Sequence, residues 1–135
     1  RMVGEDLVVF IETLRERLAY IEKHAEFWTI EGPKGPFEVL FMPRTDPLPD
    51  EPSSGLPRFI GRAGKDDSVI AMVYPDRRGT GYGLSRHRDS QRMDFAPLEE
   101  ACEDVHFAHK RGFVAKSSAT DPDRLRELLK MAQVS

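Results

Sequence analysis

The sequence predicts one small α/β domain, a small mixed sheet flanked by helices, preceded by a long N-terminal amphipathic helix. Three observations lead there. Apolar residues recur at three- and four-residue steps near both ends of the chain, short β-branched or apolar runs lie between them, and proline and glycine separate these stretches. A chain of 135 residues supports one hydrophobic core and is too short for two. With 39% hydrophobic and 32% charged residues, its composition is that of a folding chain rather than a disordered one.

From Asp6 to Trp28 the apolar positions Leu7, Phe10, Ile11, Leu14, Leu18, Ile21, Ala25 and Trp28 follow helical spacing, interleaved with charges. Gly32-Pro33 ends this element, because proline restricts the residue before it and lacks the N–H of a helical hydrogen bond. Phe37 to Met42 lies between Pro36 and Pro43, is too short for a helix, and is predicted to be a buried strand. From Pro43 to Pro57 five prolines stand among Asp, Glu, Ser and Gly. This composition predicts a long surface loop, read as an insertion rather than a functional lid. One helical turn is expected over Arg58–Gly64.

Ser68–Tyr74 and Tyr82–Arg86 are predicted strands of a hairpin with a long turn between them. Phe95–Glu103 fits a short helix with Asp94 as N-cap, Pro97 in its first turn, and Leu98, Ala101 and Cys102 facing inward. Phe113–Ser117 reads as a strand. Thr120-Asp121-Pro122-Asp123 is a helix start, with proline near the first helical position and acids at the positive end of the dipole, and Leu125, Leu128, Leu129 and Ala132 form the buried stripe that follows.

The formal net charge is -3, so contact with a polyanion would need a local basic face. Cys102 is the single cysteine, which precludes an internal disulfide and fits a reducing compartment. No apolar run approaches the roughly 20 residues that span a bilayer, and no charged-then-apolar leader occupies the N-terminus. A soluble, cytoplasmic chain that makes no membrane contact is expected.

Candidate chemistry concentrates in the C-terminal half. His109, Lys110 and Arg111 supply donors at one bend, and Gly112 would allow a backbone conformation or a ligand approach closed to other residues. Arg86 and Arg88, two apart on one predicted strand, would share a face, and Arg86 could fork onto a phosphate or carboxylate. The plainer alternative is that these are solvated surface cations. His106 and His109 have ligand-like spacing, but on a strand they would face opposite sides, and no further Cys or His completes a metal set. Cys102 reads as a small core residue. The glycines of Gly79-Thr80-Gly81-Tyr82-Gly83 sit inside a hairpin rather than between strand and helix, which is the wrong context for a dinucleotide loop.

Leu84-Ser85-Arg86, the aspartate-led segment from Asp94, and His109-Lys110-Arg111-Gly112-Phe113 together resemble the C-terminal substrate-binding domain that accompanies DHH-type phosphoesterases. That domain has a strand ending in a Ser-Leu-Arg-Ser-like segment, a helix begun by an aspartate, and a glycine- and histidine-containing turn before Gly-Phe and a final strand. The Phe-x-His-x-x-Gly-Phe stretch from Phe107 to Phe113 is closest to the form in the branch of metal-dependent exonucleases named for melanocyte proliferation. The three glycines that usually precede the histidine are absent here. The likeness spans roughly Ser68 to Ala132.

The resemblance implies a DHH-associated-like α/β domain over residues 33–135, with residues 1–32 as a connecting or packing helix. It implies a phosphate- or nucleic-acid-gripping role for Arg86, Arg88, His109, Lys110, Arg111 and Gly112 toward an oligonucleotide or nucleotide. The Asp-His-His triplet with which such enzymes hold metal does not occur in this chain, so no catalytic or metal residue and no cofactor is assigned to it. Mn or Mg would belong to a catalytic domain in a longer parent, and the chain alone is expected not to hydrolyse phosphodiesters. The rival expectation is a stand-alone interaction module that forms a homodimer through the apolar face of its N-terminal helix.

Overall fold

The computed structural model describes residues 14–49 and 51–135. A helix α1 over residues 14–24 leads into strand β1 (Glu26–Gly32), followed by β2 (Gly35–Phe41), helix α2 (Leu56–Arg62), β3 (Val69–Pro75), β4 (Tyr82–Arg86), a one-turn α3 (Leu98–Ala101), β5 (Val105–Ala108), β6 (Val114–Ser117) and α4 (Pro122–Ala132). The six strands form one mixed sheet in the order β1-β2-β3-β4-β6-β5. Only β2 and β3 run parallel, and all other neighbours are antiparallel.

Each face of the sheet carries its own core. On one side α3 and α4 place Leu98, Leu125, Leu128 and Leu129 over Trp28, Val39, Val73, Leu84 and Ala115. Each such leucine, fully removed from water, contributes roughly 1.5–3 kcal/mol. On the other side α1 and α2 place Ile21, Leu56 and Ile60 over Leu40, Met42, Val69 and Met72. No residue of β4, β6 or β5 belongs to this second cluster, so α1 and α2 cover only the β1–β3 half of that face.

The structure corrects several sequence expectations. The predicted helix over Asp6–Trp28 is a helix only over 14–24 among the described residues, and its first part, from Asp6, lies outside them. Ala25 and Trp28 continue the helical spacing by coincidence. Trp28 and Ile30 alternate with exposed Thr29 and Glu31, and this strand pattern prevails because Trp28 can then stack on Phe41 at 4.3 Å. β1 pairs with β2 along its whole length, so residues 26–32 belong to the same sheet as the rest.

The proline-rich stretch is not an idle insertion. Parallel neighbours cannot be joined by a tight turn, so the chain from Phe41 to Val69 is the crossover that returns it to the same end of the sheet. It is tied down by Arg17, whose Nη2 donates to the Glu51 carbonyl at 2.6 Å, and by a Tyr20–Thr45 hydroxyl contact. Its helix begins at Leu56 and contains Pro57 in the first turn, two residues before the expected start.

The helix expected over Phe95–Glu103 is reduced to Leu98–Ala101, with Pro97 at the N-cap and Ala101 exposed. Asp94 does not cap it, because its Oδ1 accepts the N–H of Ala96 at 3.0 Å in a local turn. Strand β5 had no sequence counterpart. It is the sheet edge, and Glu99 Oε1 accepts the N–H of Ala108 at 2.9 Å. An otherwise open edge donor is thereby closed. The hairpin β3–β4, the final strand and α4 match their predicted places, Asp121 capping α4 by accepting the N–H of Asp123 at 3.3 Å.

Candidate functional site

The predicted donor bend is the turn between β5 and β6. His109 N–H donates to Val114 O at 2.9 Å and Gly112 N–H to His109 O at 2.8 Å. The His109 ring lies 4.1 Å from that of Phe113, and its Nδ1 accepts the N–H of Arg111 at 3.1 Å. In the neutral ring the proton therefore sits on Nε2, which is the donor left for a ligand. Gly112 has φ +78°, and a Cβ placed there would lie 1.9 Å from Asp94 Oδ1. Its carbonyl accepts the N–H of Phe95 at 2.9 Å. The turn is thus locked onto the Asp94 segment, while Lys110 and Arg111 are exposed and their side chains make no hydrogen bond or ion pair among the described residues.

Arg86 does meet this turn, its N–H donating to Phe113 O at 2.9 Å. Its guanidinium, however, is already engaged, Nε with Met93 O at 2.7 Å and Nη1 with Asp89 Oδ1 at 3.0 Å, and its side chain is 10% exposed. It braces the Met93 segment with one edge and has limited freedom to fork onto a ligand. Arg88 departs from expectation. β4 ends at Arg86, and Arg88 and Asp89 have φ of 52° and 54°, so the strand alternation that would align Arg88 with Arg86 is broken. Arg88 instead lies 3.6 Å from Asp66 Oδ2 and lines another depression with His87 and Arg92. Arg86 is therefore linked to the turn of His109, Lys110, Arg111 and Gly112 through its backbone, and Arg88 lies apart.

Beside the turn lies the uncovered half of the sheet. Registers pair Tyr74 with Gly83, Gly83 with Lys116, and Lys116 with Phe107, so these four residues form one row across β3, β4, β6 and β5. Phe107 is 42% and Phe113 39% exposed. Tyr74 lies over Gly83, where a Cβ would come within 2.7 Å of its ring, and its hydroxyl pairs with Ser85 Oγ at 2.5 Å. Burial holds the Tyr74 phenol above its ordinary pKa, and the bond to Ser85 offsets part of that rise.

His87 carried no sequence signal and proves to be buried, 1% exposed. Its Nε2 meets Asp66 Oδ1 at 2.8 Å, and Nδ1 has no partner among the described residues. Only the meeting of β4 with the loop before β3 creates this pair. His106 is exposed on β5 while His109 sits in the turn, and among the described residues no group of three or more His, Cys, Asp or Glu could hold a metal ion. Cys102 is buried, and Gly79–Gly83 lies in the β3–β4 hairpin. No helix among the described residues is long and apolar enough to cross a membrane. Compared with models of protein families, with curated proteins and with solved structures, the chain gives no match.

Proposed function

We propose that this chain is the substrate-gripping domain of a DHH-type phosphoesterase or exonuclease, holding a phosphate or nucleic-acid end against a catalytic domain carried elsewhere in a longer parent. The observation that carries the reading is the β5–β6 turn. Gly112 anchors it by backbone geometry, so Lys110, Arg111 and the Nε2 side of His109 are presented to solvent at the border of an uncovered sheet face. Arg86 sets the position of the turn from below through Phe113. Lys supplies a point charge and Arg a planar fork, a pairing suited to phosphate oxygens. Phe107 and Phe113 add exposed aromatic surface on which a base can stack.

Mn or Mg would be held by the catalytic domain, whose Asp-His-His triplet this chain lacks. The test is titration of a short single-stranded oligonucleotide into the purified chain. Lys110→Ala and Arg111→Ala should each weaken binding by roughly 1–3 kcal/mol while leaving the melting temperature unchanged. Equal affinity of both variants and wild type would reject the anion role of the turn and favour self-association instead.

A further inference from the structure

We infer that the cleft at the other end of the open sheet half, built on Lys116 and Arg78, is a second anion site that takes a phosphate group. The cleft has a volume of about 420 Å³ and includes Ser53, Tyr74, Asp76, Arg77, Arg78 and Lys116 in its wall. Arg78 and Lys116 stand there against Asp76, so cations outnumber this carboxylate locally in a chain of formal net charge -3.

Asp76 offsets part of this charge through a loose ion pair with Lys116. Its Oδ1 accepts the backbone N–H of Arg78 at 3.1 Å, and its side chain is only 10% exposed, so it serves the turn. Lys116 Nζ stays 4.0 Å from that oxygen, beyond hydrogen-bond distance, and its side chain is 43% exposed. The ammonium therefore retains donors for a ligand. Gly83 beside it has no side chain, and the Tyr74 ring lies over it, so Tyr74 forms the wall of the cleft next to Lys116.

The loop carrying Arg78 is held from behind. Arg44 Nη2 lies 3.0, 3.1 and 2.8 Å from the carbonyls of Asp76, Gly79 and Gly81, and a Cβ on Gly81 would fall 1.9 Å from Ser117 O. Arg78 thus projects from a fixed support, which lowers the ordering cost of binding. A compact anion with several acceptor oxygens suits one ammonium, one guanidinium fork and the Ser53 hydroxyl.

The inference stands independently of the turn. Along β4 the two places are separated by the steps from Ser85 to Tyr82, about 10 Å. One phosphate cannot touch both, whereas a phosphodiester chain can.

The experiment is an NMR titration of the full chain with inorganic phosphate, following the amides of Arg78, Gly83 and Lys116. Saturable shifts are expected there. Lys116→Met and Arg78→Ala should each weaken binding about tenfold, as for a lost hydrogen bond between charged groups, and Lys116→Arg should retain most of it. Lys110→Ala should leave phosphate binding at this cleft unchanged, so failure of the turn and failure of the cleft are separable. A second arm compares a mononucleotide with a single-stranded oligonucleotide. Tighter binding of the oligonucleotide, weakened by variants at either place, assigns the cleft to a nucleic-acid backbone, and equal binding weakened only by Lys116→Met and Arg78→Ala assigns it to a free phosphorylated molecule. Absence of a saturable shift at these amides, or a shift that survives unchanged in folded Lys116→Met, overturns the site.

Discussion

Gly112 and Asp94 are in mutual contact that leaves no room for a side chain on Gly112, since a Cβ there would lie 1.9 Å from Asp94 Oδ1. That oxygen is not free to retreat, because it accepts the N–H of Ala96. Gly112→Ala should therefore cost about 2 kcal/mol or more, from the left-handed φ together with overpacking. Asp94→Ala should cost less and partly relieve Gly112→Ala in the double variant. Urea unfolding of the four proteins checks this, and strictly additive losses would show that the two residues are not coupled.

Asp104 and Arg124 form a two-pronged ion pair, Nε to Oδ2 at 2.7 Å and Nη2 to Oδ1 at 3.0 Å. The guanidinium holds the Asp104 carboxyl below its ordinary pKa, against a smaller opposing effect of burial. A depressed folded-state pKa gives stability that is present above the unfolded carboxylate pKa and lost as pH falls through the folded value. Wild-type stability should thus decline on acidification below about pH 4, and Arg124→Met should show a shallower decline. Identical acid slopes in the two proteins would contradict the assignment.

Arg44 clamps the β3–β4 loop through carbonyls that its one Nη2 shares. Arg44→Met should lower stability by about 1–2 kcal/mol, the usual range for hydrogen bonds to a charged group discounted for exposure. Amide exchange at Asp76, whose N–H donates to Gly81 O at 2.9 Å, should quicken more than the global change requires. Exchange that tracks global stability alone would show that the clamp does not order the loop.

Asp66 is the sole partner of the buried His87 ring among the described residues. Asp66→Ala would leave both ring nitrogens without a protein partner, at a cost of about 1–3 kcal/mol, and Asp66→Asn should cost less because its amide can still pair with Nε2. Thermal unfolding of the two variants distinguishes them, and equal losses would mean that the carboxylate charge rather than the hydrogen bond is what matters.

Local chemistry by itself determined α4 and the β3–β4 hairpin. A cap of Asp121 before Pro122 and a β-branched run beside a glycine-rich turn each state their conformation within a few residues. Long-range packing decided the rest. Trp28 left the helical pattern because Phe41 and the guanidinium of Arg126, 4.1 Å from its ring, stand over the strand position. The proline-rich segment became a crossover because β2 and β3 are parallel, which no local composition reveals. Likewise, the donors at the bend were legible as residue types, whereas the diversion of Arg88 to Asp66, the engagement of Arg86 by Met93 and Asp89, and the Lys116 row depend on which strands become neighbours. Pairing across the sheet is a property of the assembled core, where burial and register act over separations that a sequence window does not span.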